Sequence, residues 1–113
     1  MAKKQKINAI FKALADPTRR ELFHILVIAS SAMSLTQLAD KVEMTRQGVT
    51  KHIKLLENAG MVRSTEQGRE RYCLANLEAL SEIRDWVAFY DKFWDDSIRR
   101  LDAFLSNKSK GKS

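Results

Sequence analysis

The chain's 113 residues leave room for one domain with a modest core and are too few for two. An apolar fraction of 44% with one proline and four glycines suits a mostly helical globular protein. No apolar run approaches the ~18 residues of a membrane span and no signal peptide precedes the first helix, while the lone Cys73 excludes an internal disulfide and fits a reducing cytoplasm.

The formal charge is +6, and Lys3, Lys4, Lys6, Lys108, Lys110 and Lys112 at the two ends carry all of it. The remainder balances but is polarised. Residues 44–73 hold six bases and three acids, whereas residues 74–107 hold four bases and seven acids. A basic module beside an acidic one fits a protein that turns one face to a polyanion. The terminal lysines by themselves read as an aid to solubility.

Residues 1–5 are polar and basic and are expected to form a tail. Ile7, Ile10, Phe11 and Leu14 fall at i, i+3, i+4 and i+7, which predicts a first helix over residues 6–15. Asp16-Pro17 marks a boundary: Asp16 caps, and Pro17 takes the first helical position, where a missing N–H costs nothing. Leu22, Ile25, Leu26 and Ala29 predict the buried stripe of a second helix, which Ser30-Ser31 closes.

The organising stretch is 34–60, SLTQLADKVEMTRQGVTKHIKLLENAG. Ser34 and Gln37 have capping-box spacing, and Leu35, Leu38, Ala39 and Val42 give a short helix one apolar face. Thr45 caps a second helix that buries Val49, Ile53 and Leu56 and stops at Gly60. Two linked helices fit half of an ordinary bundle equally well. The outward face of the second decides otherwise: Arg46, Gln47, Thr50, Lys51 and Lys54 are donors and phosphate binders clustered towards its N-terminus, where a recognition helix meets base edges. Residues 34–60 are read as a helix-turn-helix.

After Gly60 the period changes to alternation, predicting strands over 61–65 and 69–74 with Glu66-Gln67-Gly68 as the turn. A hairpin directly after a recognition helix is a wing. Arg69 and Arg71 share one face of its second strand, with Tyr72 and Leu74 on the other, so Arg69 can reach a phosphate or the minor groove. Glu66 and Glu70 oppose that attraction, and a solvated tip is the alternative.

From Leu77 to Leu105 the helical period returns as a stripe through Leu80, Ile83, Val87, Tyr90, Trp94, Ile98 and Leu101, widened by Trp86, Phe89 and Phe93. Such a helix spans about 40 Å, more than a small core covers. Five aromatics within 86–94 left in water would form a large apolar patch, so a second copy of the chain is the expected cover. The polar residues of 107–113 are expected to form a second tail, making residues 1–113 one domain with 77–106 as a dimerisation helix.

In this order and spacing, FKALADPTRRELFHIL (11–26), LTQLADKVEMTRQGVTKHIKLLENAGMV (35–62), EQGRERYCL (66–74) and RDWVAFYDKFWDDSIRRLDAFL (84–105) resemble the ArsR/SmtB type of bacterial winged-helix repressors over nearly the whole chain. The resemblance implies a mainly α winged helix-turn-helix of about five helices and a two-stranded wing. It also implies a homodimer built from the first and last helices on an imperfect palindrome, and a cytoplasmic, nucleoid-associated setting. The interface would draw on Ile7, Phe11, Trp86, Phe89, Tyr90, Phe93, Trp94 and Leu101.

Carried over by position, Arg46, Gln47, Thr50 and Lys51 match groove-facing positions, and Thr45 caps and can touch a phosphate. His52 matches a histidine common in the family, and its place between Val49 and Ile53 suits a packing or phosphate role. Arg19 lies in the matching second-helix motif, where a structural ion pair is expected.

The departure concerns the signal. Metal sensors of the family carry Cys-x-Cys before the recognition helix, where this chain has Gln37, Leu38, Ala39 and Asp40. Others bind zinc on the last helix through Asp and His, where this chain has Asp91, Asp95 and Asp96 and no histidine. His24, His52 and Cys73 have no ligand spacing. No metal, no cofactor and no catalytic residue is expected, and any inducer is unknown. Cys73 as a redox switch has no resolving partner, being the one cysteine.

The sequence therefore predicts a dimeric repressor on double-stranded DNA, with Thr45, Arg46, Gln47, Thr50, Lys51, Lys54, Arg69 and Arg71 as contacts. The alternative is a winged-helix protein-interaction module that never touches DNA. An enzyme lacks support, because no nucleophile motif or glycine-rich phosphate loop occurs.

Overall fold

The computed structural model describes the backbone of residues 3–110 and the side chains of residues 6–107. Residues 1–2 and 111–113, the outer parts of the two expected tails, lie outside the described residues. The chain divides into two units, residues 1–82 and residues 83–113.

The first unit opens with α1 (Lys3–Leu14) and α2 (Pro17–Ala29). Their boundary follows the Asp-Pro signal: Asp16 Oδ2 accepts the Arg19 N–H at 3.0 Å, and Pro17 takes the first helical position. α2 ends at Ser30, left-handed at φ 55, whose N–H returns to the carbonyls of Leu26 and Val27. Leu22, Phe23 and Leu26 face inward. Ile25 is only half-buried and Ala29 is exposed in the last turn, so the inward stripe is rotated from the expected one.

β1 (Met33–Ser34) leads directly into α3 (Leu35–Val42). The capping box at its start is complete: Ser34 Oγ accepts the Gln37 N–H at 3.0 Å, and Gln37 Oε1 accepts the Ser34 N–H at 2.8 Å. α4 (Arg46–Asn58) follows a three-residue turn whose first member, Glu43, is left-handed at φ 52. Beyond α4, Gly60 adopts φ 78, a conformation that costs a side-chain-bearing residue and not glycine.

β2 (Val62–Gln67) and β3 (Glu70–Ala75) form the hairpin, in antiparallel register from Val62 opposite Ala75 to Gln67 opposite Glu70. Three details differ from the sequence expectation. The loop is Gly68-Arg69, with Gly68 at φ 66 and Arg69 not left-handed. That is the pattern of a two-residue hairpin turn with glycine first, and it moves Arg69 from the strand to the tip. The sheet has a third strand, in the order β1-β3-β2, so β3 is central and Cys73 pairs with Met33 on one side and Ser64 on the other. Finally, the side of β3 bearing Arg71 and Cys73 is the one that turns inward, with Cys73 fully buried and Leu74 44% exposed.

Leu22, Leu26, Leu38, Val49, Ile53, Leu56, Met61 and Cys73 are the largest fully buried side chains and form the centre of this unit. Each enclosed leucine contributes about 1.5–3 kcal/mol of burial free energy. α4 packs against α1, α2, α3 and β2, which fixes its inward stripe and leaves the opposite edge to solvent.

A short 3-10 helix (Leu77–Leu80) stands where the periodicity predicts the start of the last helix. Asn76 redirects the chain there: its side-chain Nδ2 donates to the Gly60 carbonyl at 2.8 Å and its backbone N–H to the Met61 carbonyl at 2.8 Å. α5 (Ser81–Lys110) makes up nearly all of the second unit. Its helical backbone reaches into the segment whose composition suggests a tail, since lysine propagates a helix well. Trp86, Val87, Phe89, Tyr90, Phe93, Trp94, Ile98, Leu101, Phe104 and Leu105 are all exposed along it.

Candidate nucleic-acid interface

The edge of α4 that faces solvent is set by its first turn. Thr45 is extended at φ −70 and ψ 152, and its Oγ1 accepts the Gly48 N–H at 3.1 Å. That leaves neighbouring orphan N–H groups at a helix N-terminus, a place suited to phosphate. Arg46 and Gln47 are exposed immediately after the cap. Thr50 is half-buried and donates from Oγ1 to the Arg46 carbonyl at 2.7 Å, while Lys51 and Lys54 are exposed one and two turns on.

Between this edge and the wing lies an open groove of about 790 Å³, lined by Arg46, Gln47, Thr50 and Lys51 from α4, by Leu35 of α3, and by Glu66, Gly68, Arg69, Glu70 and Arg71 from the hairpin. Six of the eight sequence-predicted contacts thus meet in one concavity. Thr45 and Lys54 do not line it: Thr45 acts through the cap, and Lys54 lies further along the exposed edge.

Two of the arginines are already engaged. Arg46 Nη2 lies 3.1 Å from Glu70 Oε1, and Arg71 Nη2 donates to Glu57 Oε2 at 3.2 Å. Glu70 also accepts from Thr36 Oγ1 at 3.1 Å, so the first residue of β3 touches both helices of the helix-turn-helix. The Arg46 and Glu70 side chains are 49% and 29% exposed, and a pair so placed is worth about 0–1 kcal/mol. The Arg71 pair ties β3 to the far end of α4, which makes Arg71 a brace as much as a phosphate donor. Sequence spacing points to Glu70 only as a repulsive charge, and it gives Thr36 and Glu57 no role. Contacts across 14 to 34 residues leave no periodic trace.

His52 turns away from the groove. Its Nδ1 is 3.9 Å from Asp16 Oδ2, which places the imidazole against the start of α2. The Asp16 carboxyl is held below its ordinary value of 3.8, first by the Arg19 backbone hydrogen bond and against the opposing pull of desolvation, with the Arg19 and His52 charges assisting. Arg19 has the structural role expected of it, but makes it with carbonyls: Nε donates to Ala13 O at 2.7 Å and Nη2 to Lys12 O at 3.2 Å, closing the end of α1. Burial pushes the Cys73 thiol above 9.0, which favours the thiol over the thiolate and is partly offset by a hydrogen bond from Ser64. In α3, Gln37 is engaged in the capping box, and Leu38 and Ala39 are buried.

A helix-turn-helix domain model matches residues 14–65. The uncharacterized HTH-type transcriptional regulator YuzN of Bacillus subtilis is 34% identical over 87 residues, spanning 71% of this chain and 94% of that one. A crystal structure of an ArsR family transcriptional regulator superposes with a TM-score of 0.72 at 34% identity, covering 81% of this chain and 93% of the other. The chain belongs to the ArsR family of winged helix-turn-helix regulators. This ArsR-family chain is a DNA-binding transcriptional regulator and not an enzyme. The transcriptional repressor SdpR of Bacillus subtilis is 25% identical over 92 residues, covering 81% of this chain and all of its own. Among the described residues, no helix is long and apolar enough to cross a membrane.

Proposed function

We propose that the protein is a dimeric repressor that sets α4 into the major groove of a palindromic operator, with the β2–β3 hairpin lying over the adjacent backbone. The groove that gathers Arg46, Gln47, Thr50, Lys51, Arg69 and Arg71 is the observation that carries this reading. Gln47 favours adenine and Arg46 guanine through bidentate pairing. Thr50 faces the groove beside them, Thr45 adds a phosphate contact, and Lys51, Lys54, Arg69 and Arg71 supply phosphate contacts and the salt dependence that follows from counterion release. Similarity to SdpR supports repression as the direction of control.

Dimerisation is assigned to the apolar face of α5, where Trp86, Phe89, Tyr90, Phe93, Trp94 and Leu101 are exposed, and, on α1, to Ile7 and Phe11. The protein would act at the nucleoid of a bacterial cytoplasm, and release would follow whatever signal loosens the dimer or the wing.

Gel-shift titrations test the contact face. Gln47→Ala is expected to relax sequence preference by about 1–3 kcal/mol at one base pair. Lys54→Ala is expected to weaken all duplexes alike and to lower the salt slope by about one. Unchanged affinity and preference in both variants would remove α4 from the interface.

A further inference from the structure

We infer, resting on the base-reading role just proposed for Arg46, that Glu70 is a positioning residue for sequence readout: it holds the Arg46 guanidinium at the lip of the groove before DNA arrives. Glu70 begins β3, beside the hairpin turn, and its Oε1 lies 3.1 Å from Arg46 Nη2. The carboxylate is itself held from a second element, because Thr36 Oγ1 of α3 donates to Oε2 at 3.1 Å. Arginine loses much rotamer freedom when fixed, and fixing it in the free protein removes that loss from the binding step. The contact engages one terminal nitrogen of a group with five N–H donors, which leaves donors for the O6 and N7 of guanine.

Withholding Arg46 from DNA is the competing role for Glu70. It is disfavoured because the contact engages one terminal nitrogen and leaves other guanidinium donors open, so a bidentate base contact can form without breaking it. The carboxylate also repels phosphates, but that cost falls on every sequence alike. Glu70 thus trades total affinity for discrimination, since it favours only duplexes that offer Arg46 a guanine.

The test uses the full chain and two duplexes: the tightest one that the wild-type protein selects from a random-sequence pool, and its scrambled counterpart. Glu70→Gln keeps the size and the acceptor for Thr36 while removing the charge. The ratio of affinities for the two duplexes is expected to fall roughly fivefold with the salt slope unchanged. Adding Glu70→Gln to Arg46→Ala is expected to change the ratio no further. Thr36→Val, which removes the outer anchor without touching charge, is expected to lower the ratio in the same direction by a smaller factor.

Equal tightening on both duplexes by Glu70→Gln would reduce Glu70 to simple repulsion and overturn the inference. So would a loss of discrimination that persists in the Arg46→Ala background. If Arg46→Ala alone leaves the ratio at the wild-type value, the base-reading role fails and the inference falls with it. If the selection enriches no duplex, the fault lies deeper, in the operator reading itself. Thermal melts matching wild type show that the variants fold.

Discussion

α4 and α5 are both amphipathic helices, and they expose opposite kinds of surface. α4 buries Val49, Ile53 and Leu56 completely and shows solvent a row of Arg46, Gln47, Lys51 and Lys54. In α5 the apolar residues themselves are exposed, among them Trp94 at 63% and Phe104 at 62%. Apolar periodicity therefore identifies the same structural element twice while saying nothing about which face is the working one. In α4 the polar edge remains after the core has taken its share, and it fits a polyanion. In α5 the apolar edge remains, and it fits another protein surface. The aromatic contacts along α5, such as Trp86 with Tyr90 at 5.4 Å and Phe89 with Phe93 at 5.8 Å, organise that surface without covering it.

Substitutions on the two helices are expected to behave differently. Leu56→Ala, in the inner stripe of α4, is expected to cost about 2–5 kcal/mol, by the same amount at every protein concentration. Leu101→Ala, in the exposed stripe of α5, is expected to destabilise in a concentration-dependent way, because the stability of an associating chain follows mass action. Denaturant melts at several concentrations separate the two. A concentration-independent Leu101→Ala effect would mean that α5 has no second copy as its cover.

A smaller effect tests whether α4 is held by its neighbours. Ser34→Ala removes the capping box that starts α3 and is expected to cost about 1 kcal/mol in a thermal or urea melt. The smallest concerns pH. Asp16 has its carboxyl lowered from 3.8 in the folded protein, so its contribution is complete above that value and is lost as the pH falls through the folded one. Asp16→Asn preserves the cap. It is expected to lower stability slightly at neutral pH and to make the acid limb of a stability–pH curve shallower below 3.8.

Local chemistry is what the sequence makes legible. Asp16-Pro17, the Ser34–Gln37 pair and Thr45 each announce a helix start through hydrogen bonds that span three residues, and each start falls where they place it. The winged helix-turn-helix architecture follows from those starts and from the change of period after Gly60. Non-local pairing is hidden. β1 is two residues long and has no alternation to read, yet it makes β3 central and buries Cys73 in the middle of the sheet. The hairpin turn falls later than composition suggests because register, and not the Glu-Gln-Gly run, decides which residues oppose each other. Within the candidate interface the residue types are evident, whereas the acids that hold Arg46 and Arg71 lie across the fold and are visible only as charges.

Hydroxyl-radical footprinting on a duplex selected by the wild-type protein shows whether two copies of α4 read one operator. Two protected windows about 34 Å apart on one face of the duplex, both fading together as salt rises, are the predicted result. A single protected window, or protection that survives high salt and the loss of Gln47, would contradict a paired recognition helix reading successive major grooves.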